Sequence, residues 1–253
     1  MIRFLTIVET PALKLKADSF TQKETHEPKN PLFVSYTNMA NTFFSVIITT
    51  YNRSEILIRA VKSLIAQTES DWEAIIIDDG STDDTYSRLS KYLKSHPSIF
   101  YIKQKNKGEE AAKNTGIRAA SGSYITFLDS DDFYQRDHLK IRKSILQEHP
   151  HIDLLHGGVK IIGDKYVPDR FNPNKRIHLS ECVIGGTFFI RKNLVLKLNG
   201  FQRVPIGTDA DLFERISRRG AKIKKIHHPT YIYNRQLPDS LTHAFSRKHD
   251  RVK

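Results

Sequence analysis

Four short runs rich in apolar and β-branched residues, Phe43–Thr50, Glu73–Ile77, Ile99–Ile102 and Tyr124–Leu128, alternate with segments of helical spacing. A continuous run such as Phe43–Thr50 marks a strand buried on both faces, as in the parallel sheets of α/β proteins; a half-exposed strand would alternate. Behind Ser54, a candidate helix cap, Ile56, Leu57, Ala60, Val61, Leu64 and Ile65 recur at helical spacing. Asp83 opens a second helix carrying Leu89, Tyr92 and Leu93, and Glu109–Ala120 and Asp137–Glu148 supply two more. The β-α-β-α-β-α-β order predicts an α/β fold, with a Rossmann-like, doubly wound, mainly parallel sheet.

The second half reads differently. Ile152–His156, Val159–Ile162, Thr187–Ile190 and Ile223–Tyr233 are expected strands separated by loops and helices, a mixed α+β pattern. Pro168, Pro173 and the polar residues between them predict a surface loop. Residues 1–42 are largely polar, aperiodic and punctuated by Pro28 and Pro31, which predicts a disordered or peripheral extension. A chain of 253 residues suits one α/β domain with appendages. The lone cysteine, Cys182, rules out an internal disulfide and fits a reducing compartment. No run of about 18 apolar residues occurs, and Glu9 and Pro11 end the apolar start too early for a signal peptide. A cytoplasmic protein is therefore expected. The net charge is +12, and in the segment from 214 onward basic residues, from Arg215 to Lys253, outnumber Glu214, Asp239 and Asp250. Such a patch suits anionic lipid, nucleic acid or a phosphorylated substrate, or is simply a solvated face.

Acidic residues gather where the expected strands end. Phe127-Leu128 runs straight into Asp129-Ser130-Asp131-Asp132, and Ile77 into Asp78-Asp79-Gly80-Ser81; a further pair is Asp209-Ala210-Asp211. In a parallel sheet the first two tips share one edge, the edge where open α/β sheets bind ligands. Crowded carboxylates repel one another unless a cation neutralises them. Mg²⁺ takes such oxygens and shares them with substrate phosphates. One tip can then contact a nucleoside while the other holds metal and diphosphate. Seen alone, each tip also reads as an ordinary turn followed by a helix cap.

Six motifs in order carry a resemblance. They begin with Val46-Ile47-Ile48-Thr49-Thr50-Tyr51-Asn52-Arg53 and Ile77-Asp78-Asp79-Gly80-Ser81-Thr82-Asp83. Asn106-Lys107-Gly108 with Ala111-Ala112-Lys113-Asn114-Thr115-Gly116 follows, then Leu128-Asp129-Ser130-Asp131-Asp132. The last are Gly186-Thr187-Phe188-Phe189-Ile190-Arg191 and, after Gly200-Phe201, Asp209-Ala210-Asp211-Leu212-Phe213-Glu214-Arg215. The stretch 43–240 resembles the inverting nucleotide-sugar glycosyltransferases of family 2, which have the GT-A fold. The resemblance implies a nucleotide-binding half over 43–135, an acceptor-binding half over 136–240 and a basic tail over 241–253. Thr49, Tyr51 and Arg53 would border the nucleotide, the Tyr51 ring against the base. Asp79, with Asp78 as the alternative, would accept a hydrogen bond from base or ribose. Asp129-Ser130-Asp131 matches the family's DxD motif, with Asp131 holding Mn²⁺ or Mg²⁺ and Asp129 facing the ribose or sugar. Asp209 matches the catalytic base, and Asp211 reads as the helix's own capping acid.

Two departures stand out: Thr208 replaces the Glu many relatives have before the base, and Lys113 stands where relatives often have Arg. Lys113 is either a nucleotide contact or a solvated helix residue. Among 11 histidines, His227, His228 and His243 match positions where some relatives contact metal or diphosphate, with His243 the favoured ligand and Arg235 a possible helper. Cys182 reads as an inert thiol. The implied activity is transfer of a sugar, from a UDP-sugar by preference, to a hydroxyl of a cell-surface polysaccharide, a lipid-linked oligosaccharide or a glycan. Peripheral contact with an anionic membrane, at the inner face of the cell membrane, would suit a lipid-linked acceptor. Nucleotidyl transfer is disfavoured because no Gly-rich, Lys-bearing loop follows the first strand. The remaining alternatives are a donor-binding pseudoenzyme and a basic polyanion-binding protein. No nucleic-acid partner is expected, because no aromatic-basic repeat is present.

Overall fold

The structure is a computed structural model that describes Phe4–Leu5 and residues 42–172 and 174–236. The first half runs β1 (Phe4–Leu5), β2 (Phe44–Thr50), α1 (Ser54–Ile65), β3 (Trp72–Asp78), α2 (Thr85–Ser95), β4 (Ile99–Lys103), α3 (Glu109–Ala119) and β5 (Tyr124–Phe127). Next come β6 (Phe133–Tyr134), α4 (His138–Glu148), β7 (Leu154–Gly163), β8 (Tyr166–Pro168) and β9 (Arg176–His178). The chain continues through β10 (Phe189–Arg191), α5 (Lys192–Lys197), α6 (Thr208–Arg218) and β11 (Ile223–Arg235). Nine strands form one sheet in the order β1-β4-β3-β2-β5-β10-β7-β11-β6. β1 to β5 pair in parallel, as do β7 and β11; β10 and β6 run antiparallel to their neighbours. The expected α/β architecture with a mainly parallel sheet is therefore present.

The apolar run of β2 is buried on both faces, as its lack of alternation predicted. Val46 and Ile48 pack with Leu57, Val61 and Leu64 of α1 and with Leu139 of α4. Ile47 faces the other way, onto Ala112 and Ile117 of α3 and Leu212 and Ile216 of α6. Fully burying such a Val or Ile side chain contributes roughly 1.5–3 kcal/mol. Because β2 to β5 point the same way, the residues just beyond them gather along one edge of the sheet.

Several expectations shift in detail. The two strands expected at Ile152–His156 and Val159–Ile162 are one strand, β7, interrupted by Gly157 and Gly158 at positive φ. The strand expected at Thr187–Ile190 starts later, because Gly185–Thr187 forms a 3₁₀ turn. Ser54 is the first residue of α1 and does not cap it; its N–H donates to Asp83, 3.2 Å away. Asp83 also accepts from the backbone of Thr85 at 3.1 Å, so one carboxylate serves the starts of two helices. Phe4 and Leu5 pair with Tyr101 and Ile102 at the outer edge of the sheet.

A bulge in β11 brings the second half onto the edge described above. Ile226 pairs with Gly157 and Tyr231 with Val159, so residues 227–230 loop out opposite Gly158 alone. A Cβ on Gly158 would collide with the His228 carbonyl oxygen, and its φ of +73° is left-handed, so glycine is required. The fully buried Arg142 fills the bulge, donating to Thr230 Oγ1 and to the carbonyls of Gly157, Gly158 and His228. Burial brings its pKa down to about 10, so it stays charged at neutral pH. Burial and the Arg142 charge hold the adjacent His138 imidazole well below its ordinary range, hence neutral. An unsatisfied buried acceptor costs about 1–3 kcal/mol. Arg142→Ala, which strands several, is expected to lower stability by at least ~3 kcal/mol in urea denaturation. A loss under ~1 kcal/mol would show that the bulge holds its shape without the guanidinium.

Candidate active site

The rim at the ends of β2 and β3 is a locked pair of turns. Asn52, in the left-handed region at φ 51°, accepts from Thr82 N–H at 2.8 Å, and its own N–H donates to Ser81 Oγ at 2.9 Å. Asp78 is fully buried: it accepts from Ser81 N–H at 2.7 Å and from the Tyr101 hydroxyl. Burial and that carboxylate push the Tyr101 phenol far above its ordinary range. Asp79 Oδ1 accepts from Gln104 Nε2 at 2.7 Å and Lys107 N–H at 2.9 Å; Oδ2 accepts from Gly108 N–H at 2.8 Å. Both acids of this tip are thus buried and hydrogen-bonded within the protein, Asp78 to Ser81 and Tyr101 and Asp79 to Gln104, Lys107 and Gly108. Above this rim Thr49 is half-buried and the Tyr51 ring is 48% exposed.

The acidic cluster follows β5, and each of its carboxylates has a different partner. Asp132 is fully buried; it accepts from the Tyr231 hydroxyl at 2.5 Å and from Asn234 N–H at 2.8 Å. Burial and the charges of Asp129 and Asp131 push it well up, so Asp132 is a structural pin between the cluster and β11. Asp131 faces Arg53, whose Nη1 lies 3.1 Å from Oδ2. Burial and the neighbouring Asp129 raise the Asp131 carboxyl, while Arg53 opposes them. Arg59 donates to the Asp131 carbonyl oxygen and lies over the Phe133 ring at 5.0 Å. Ser130 is buried between the two site acids, and Asp129 lies 3.5 Å from Lys113 Nζ.

Lys113 is not a solvated helix residue. It is buried on α3, 2.6 Å from Glu109 and over the Phe201 ring at 5.2 Å. Burial pulls its pKa down, but Asp129, Glu109 and Asp209 together hold it well above the ordinary lysine range. Lys113 is thus a buried cation shared by three acids.

Asp209 sits in the first turn of α6, which begins after Gly207 in the left-handed region. Its Oδ2 accepts from Gly185 N–H at 2.8 Å, while its Oδ1 is buried without a hydrogen-bond partner. A Cβ on Gly185 would overlap the carboxylate, so only glycine lets the 3₁₀ turn approach it. Burial pushes the Asp209 carboxyl up, Lys113 pulls it down, and Asp129 adds to the rise. Asp211 is no cap: it pairs with Arg215 at 2.8 Å, and Arg215 donates onward to the carbonyls of Leu198 and Gly200. A carboxylate with one oxygen anchored and the other without a partner has acceptor capacity left for a proton.

His227 and His228 are exposed on the bulge, and His243 is outside the described residues. Arg235 is turned away, donating to the carbonyls of Asp164 at 2.9 Å and Tyr166 at 2.6 Å. Cys182 is half-buried, and burial raises its thiol pKa, in keeping with an inert group. Arg218, Arg219, Lys222 and Lys224 lie where β7 and β11 begin, at the edge opposite the acidic tips. Among the described residues no helix is long and apolar enough to cross a membrane. Nor do three or more His, Cys, Asp or Glu side chains form a metal-binding group among them. The adjacent Asp129 and Asp131 still fit a divalent ion of the kind that leaves most positions to phosphate oxygens and water. Sequence reasoning missed Arg59, which donates to the backbone of Asp131, and Gly185, Tyr231 and Asn234, which donate to the carboxylates of Asp209 and Asp132.

Comparisons with known proteins agree with this layout. The family model for Glycosyl transferase family 2 matches residues 45–203. Chondroitin synthase of Escherichia coli is 45% identical over 97 residues, 38% of this chain and 14% of that protein's length. Among solved structures, residues 1–349 of S. aureus TarS in complex with UDP match at TM-score 0.65 and 23% identity, covering 76% of this chain and 60% of that one. The mannosyltransferase PcManGT of Pyrobaculum calidifontis, in complex with GDP-Man and Mn²⁺, matches at TM-score 0.62 and 21% identity, covering 86% and 63%. The fold is therefore that of the GT-A transferases, and the chain belongs to glycosyl transferase family 2.

Proposed function

We propose that this chain transfers a sugar from a nucleotide-sugar donor, a UDP-sugar by preference, to an acceptor hydroxyl with inversion at the anomeric carbon. The observation that carries the reading is Asp209, whose buried Oδ1 lacks a partner while Gly185 anchors Oδ2. Lys113, 3.5 Å from Asp129 of the acidic tip, also draws down the Asp209 carboxyl, which supports a reading in which base and donor edge form one site.

In this reading Thr49 and the exposed Tyr51 ring border the nucleobase, with stacking on the ring face. Asp79 Oδ2 accepts from base or ribose, and Asp129 faces ribose or sugar. Asp131 would hold Mn²⁺ or Mg²⁺, with His243 as the candidate second ligand. When bound, the ion supplies Lewis-acid neutralisation of the diphosphate charge. Asp209 takes the proton of the acceptor hydroxyl as that oxygen bonds to the anomeric carbon. The bond from that carbon to the diphosphate oxygen breaks, and its electron pair leaves with the nucleoside diphosphate. One base on the face opposite the leaving group suffices for a single displacement.

The acceptor is proposed to be a growing cell-surface polysaccharide, a lipid-linked oligosaccharide or a glycan, in line with the relation to a chondroitin synthase. A cytoplasmic protein in peripheral contact with an anionic membrane fits the basic region. Its described part, at the far edge of the sheet, would leave the donor edge open during such contact.

Asp209→Asn keeps shape and burial and removes the base. It is expected to leave nucleotide affinity within about twofold while lowering transfer by roughly 10²–10⁴-fold, read by single-turnover kinetics. Transfer at the wild-type rate would assign the base elsewhere. Lys113 lowers the Asp209 pKa, and the base works only when ionised, so activity falls as pH drops through that pKa. Lys113→Met is therefore expected to move the acidic limb of the kcat profile to higher pH. An unmoved limb would uncouple the two residues.

A further inference from the structure

Asp131 is held in two independent ways. Arg59 donates to its carbonyl oxygen from a side chain laid over Phe133, and Asn234 Nδ2 approaches the same oxygen at 3.4 Å. These contacts fix the backbone of the cluster without touching its carboxylate. The carboxylate is met by Arg53, with Nη1 3.1 Å from Oδ2 and side chains only 18% and 11% exposed. Arg53 stands between the turn residue Asn52 and the start of α1, at the tip of β2. It can leave Asp131 without disturbing what positions that residue.

A Mg²⁺-type ion binds carboxylate oxygen at about 2.0–2.1 Å, which a guanidinium pressed on the same carboxylate obstructs by space and by like charge. A diphosphate offers the planar guanidinium fork a replacement anion of suitable geometry. We infer that Arg53 competes with a divalent ion for the Asp131 carboxylate and exchanges Asp131 for the donor's diphosphate when the ion binds. The inference rests on the donor-site reading above. Arg53 thus couples the two ligands: an ion arriving alone must break the Arg53–Asp131 pair, whereas an ion arriving with a diphosphate gives Arg53 an anion in exchange for Asp131. By linkage, the diphosphate alone likewise gains when Asp131 is already taken by the ion.

The test is calorimetric titration of Mn²⁺ into the full chain, alone and with saturating UDP or GDP, for wild type, Arg53→Gln, Arg53→Lys and Asp131→Asn. Arg53→Gln is expected to bind Mn²⁺ alone about 5–150-fold more tightly than wild type, the range of ordinary site coupling. Its further gain on adding the diphosphate should shrink accordingly. Arg53→Lys, which keeps the charge without the fork, should fall between them and carries the test if the Gln variant does not fold. Equal Mn²⁺ affinity in wild type and both Arg53 variants, with Asp131→Asn impaired, overturns the Arg53 exchange and leaves the donor site standing. Asp131→Asn binding Mn²⁺ as wild type does, with diphosphate present, removes the donor-site reading and the exchange with it.

Discussion

Asp129, Asp131 and Asp132 follow β5 within five residues, in a setting dry enough that burial raises two of their carboxyl groups. Such crowding is tolerable only if each charge is answered separately. Lys113 answers Asp129, Arg53 answers Asp131, and the Tyr231 hydroxyl with the Asn234 N–H answers Asp132. Those partners come from α3, from the β2–α1 junction and from β11, so the acidic tip draws three distant parts of the chain together. The bulge in β11 and the buried Arg142 that fills it belong to the same arrangement, since they set the register in which Tyr231 and Asn234 arrive.

The same economy places the candidate base. Lys113 is held above its ordinary range by Asp129, Glu109 and Asp209, so one buried ammonium links the donor edge to the first turn of α6. Gly185 contributes an N–H and the absence of a side chain, and both are needed for Asp209 to sit with one oxygen anchored. The neighbouring Gly186 lies against the Tyr231 ring and hydroxyl, where a Cβ would collide. This short turn therefore touches both the base and the hydroxyl that pins Asp132.

Much of this was legible in the chain itself. The unbroken apolar run at Val46–Ile48 announced a strand buried on both sides, and the acids after Ile77 and Phe127-Leu128 announced a ligand edge. What could not be read were contacts set by tertiary structure. Asp78 and Asp79 look alike in sequence, yet Asp78 is held by Ser81 and Tyr101 while Asp79 is held by Gln104 and the backbone of Lys107 and Gly108. Lys113 carries no sequence mark of burial, and Arg59 acts through a backbone oxygen, which leaves no pattern. The strands around Gly157-Gly158 were misjudged because periodicity treats a glycine pair as a break, whereas paired strands accommodate it as a bulge. His243 and the basic tail from 241 lie outside the described residues.

The most decisive measurement is thermal unfolding with UDP, GDP, dTDP and CDP, each with and without Mn²⁺. A ligand at about 100 times its Kd adds ~2.7 kcal/mol, which moves the midpoint of a chain this size by roughly 5–10 °C. A donor edge built on Asp131 predicts a shift of that size for one diphosphate, UDP foremost, and only when Mn²⁺ is present. No shift with any diphosphate, or equal shifts with and without the ion, would contradict a metal-assisted nucleotide-sugar site at this edge of the sheet.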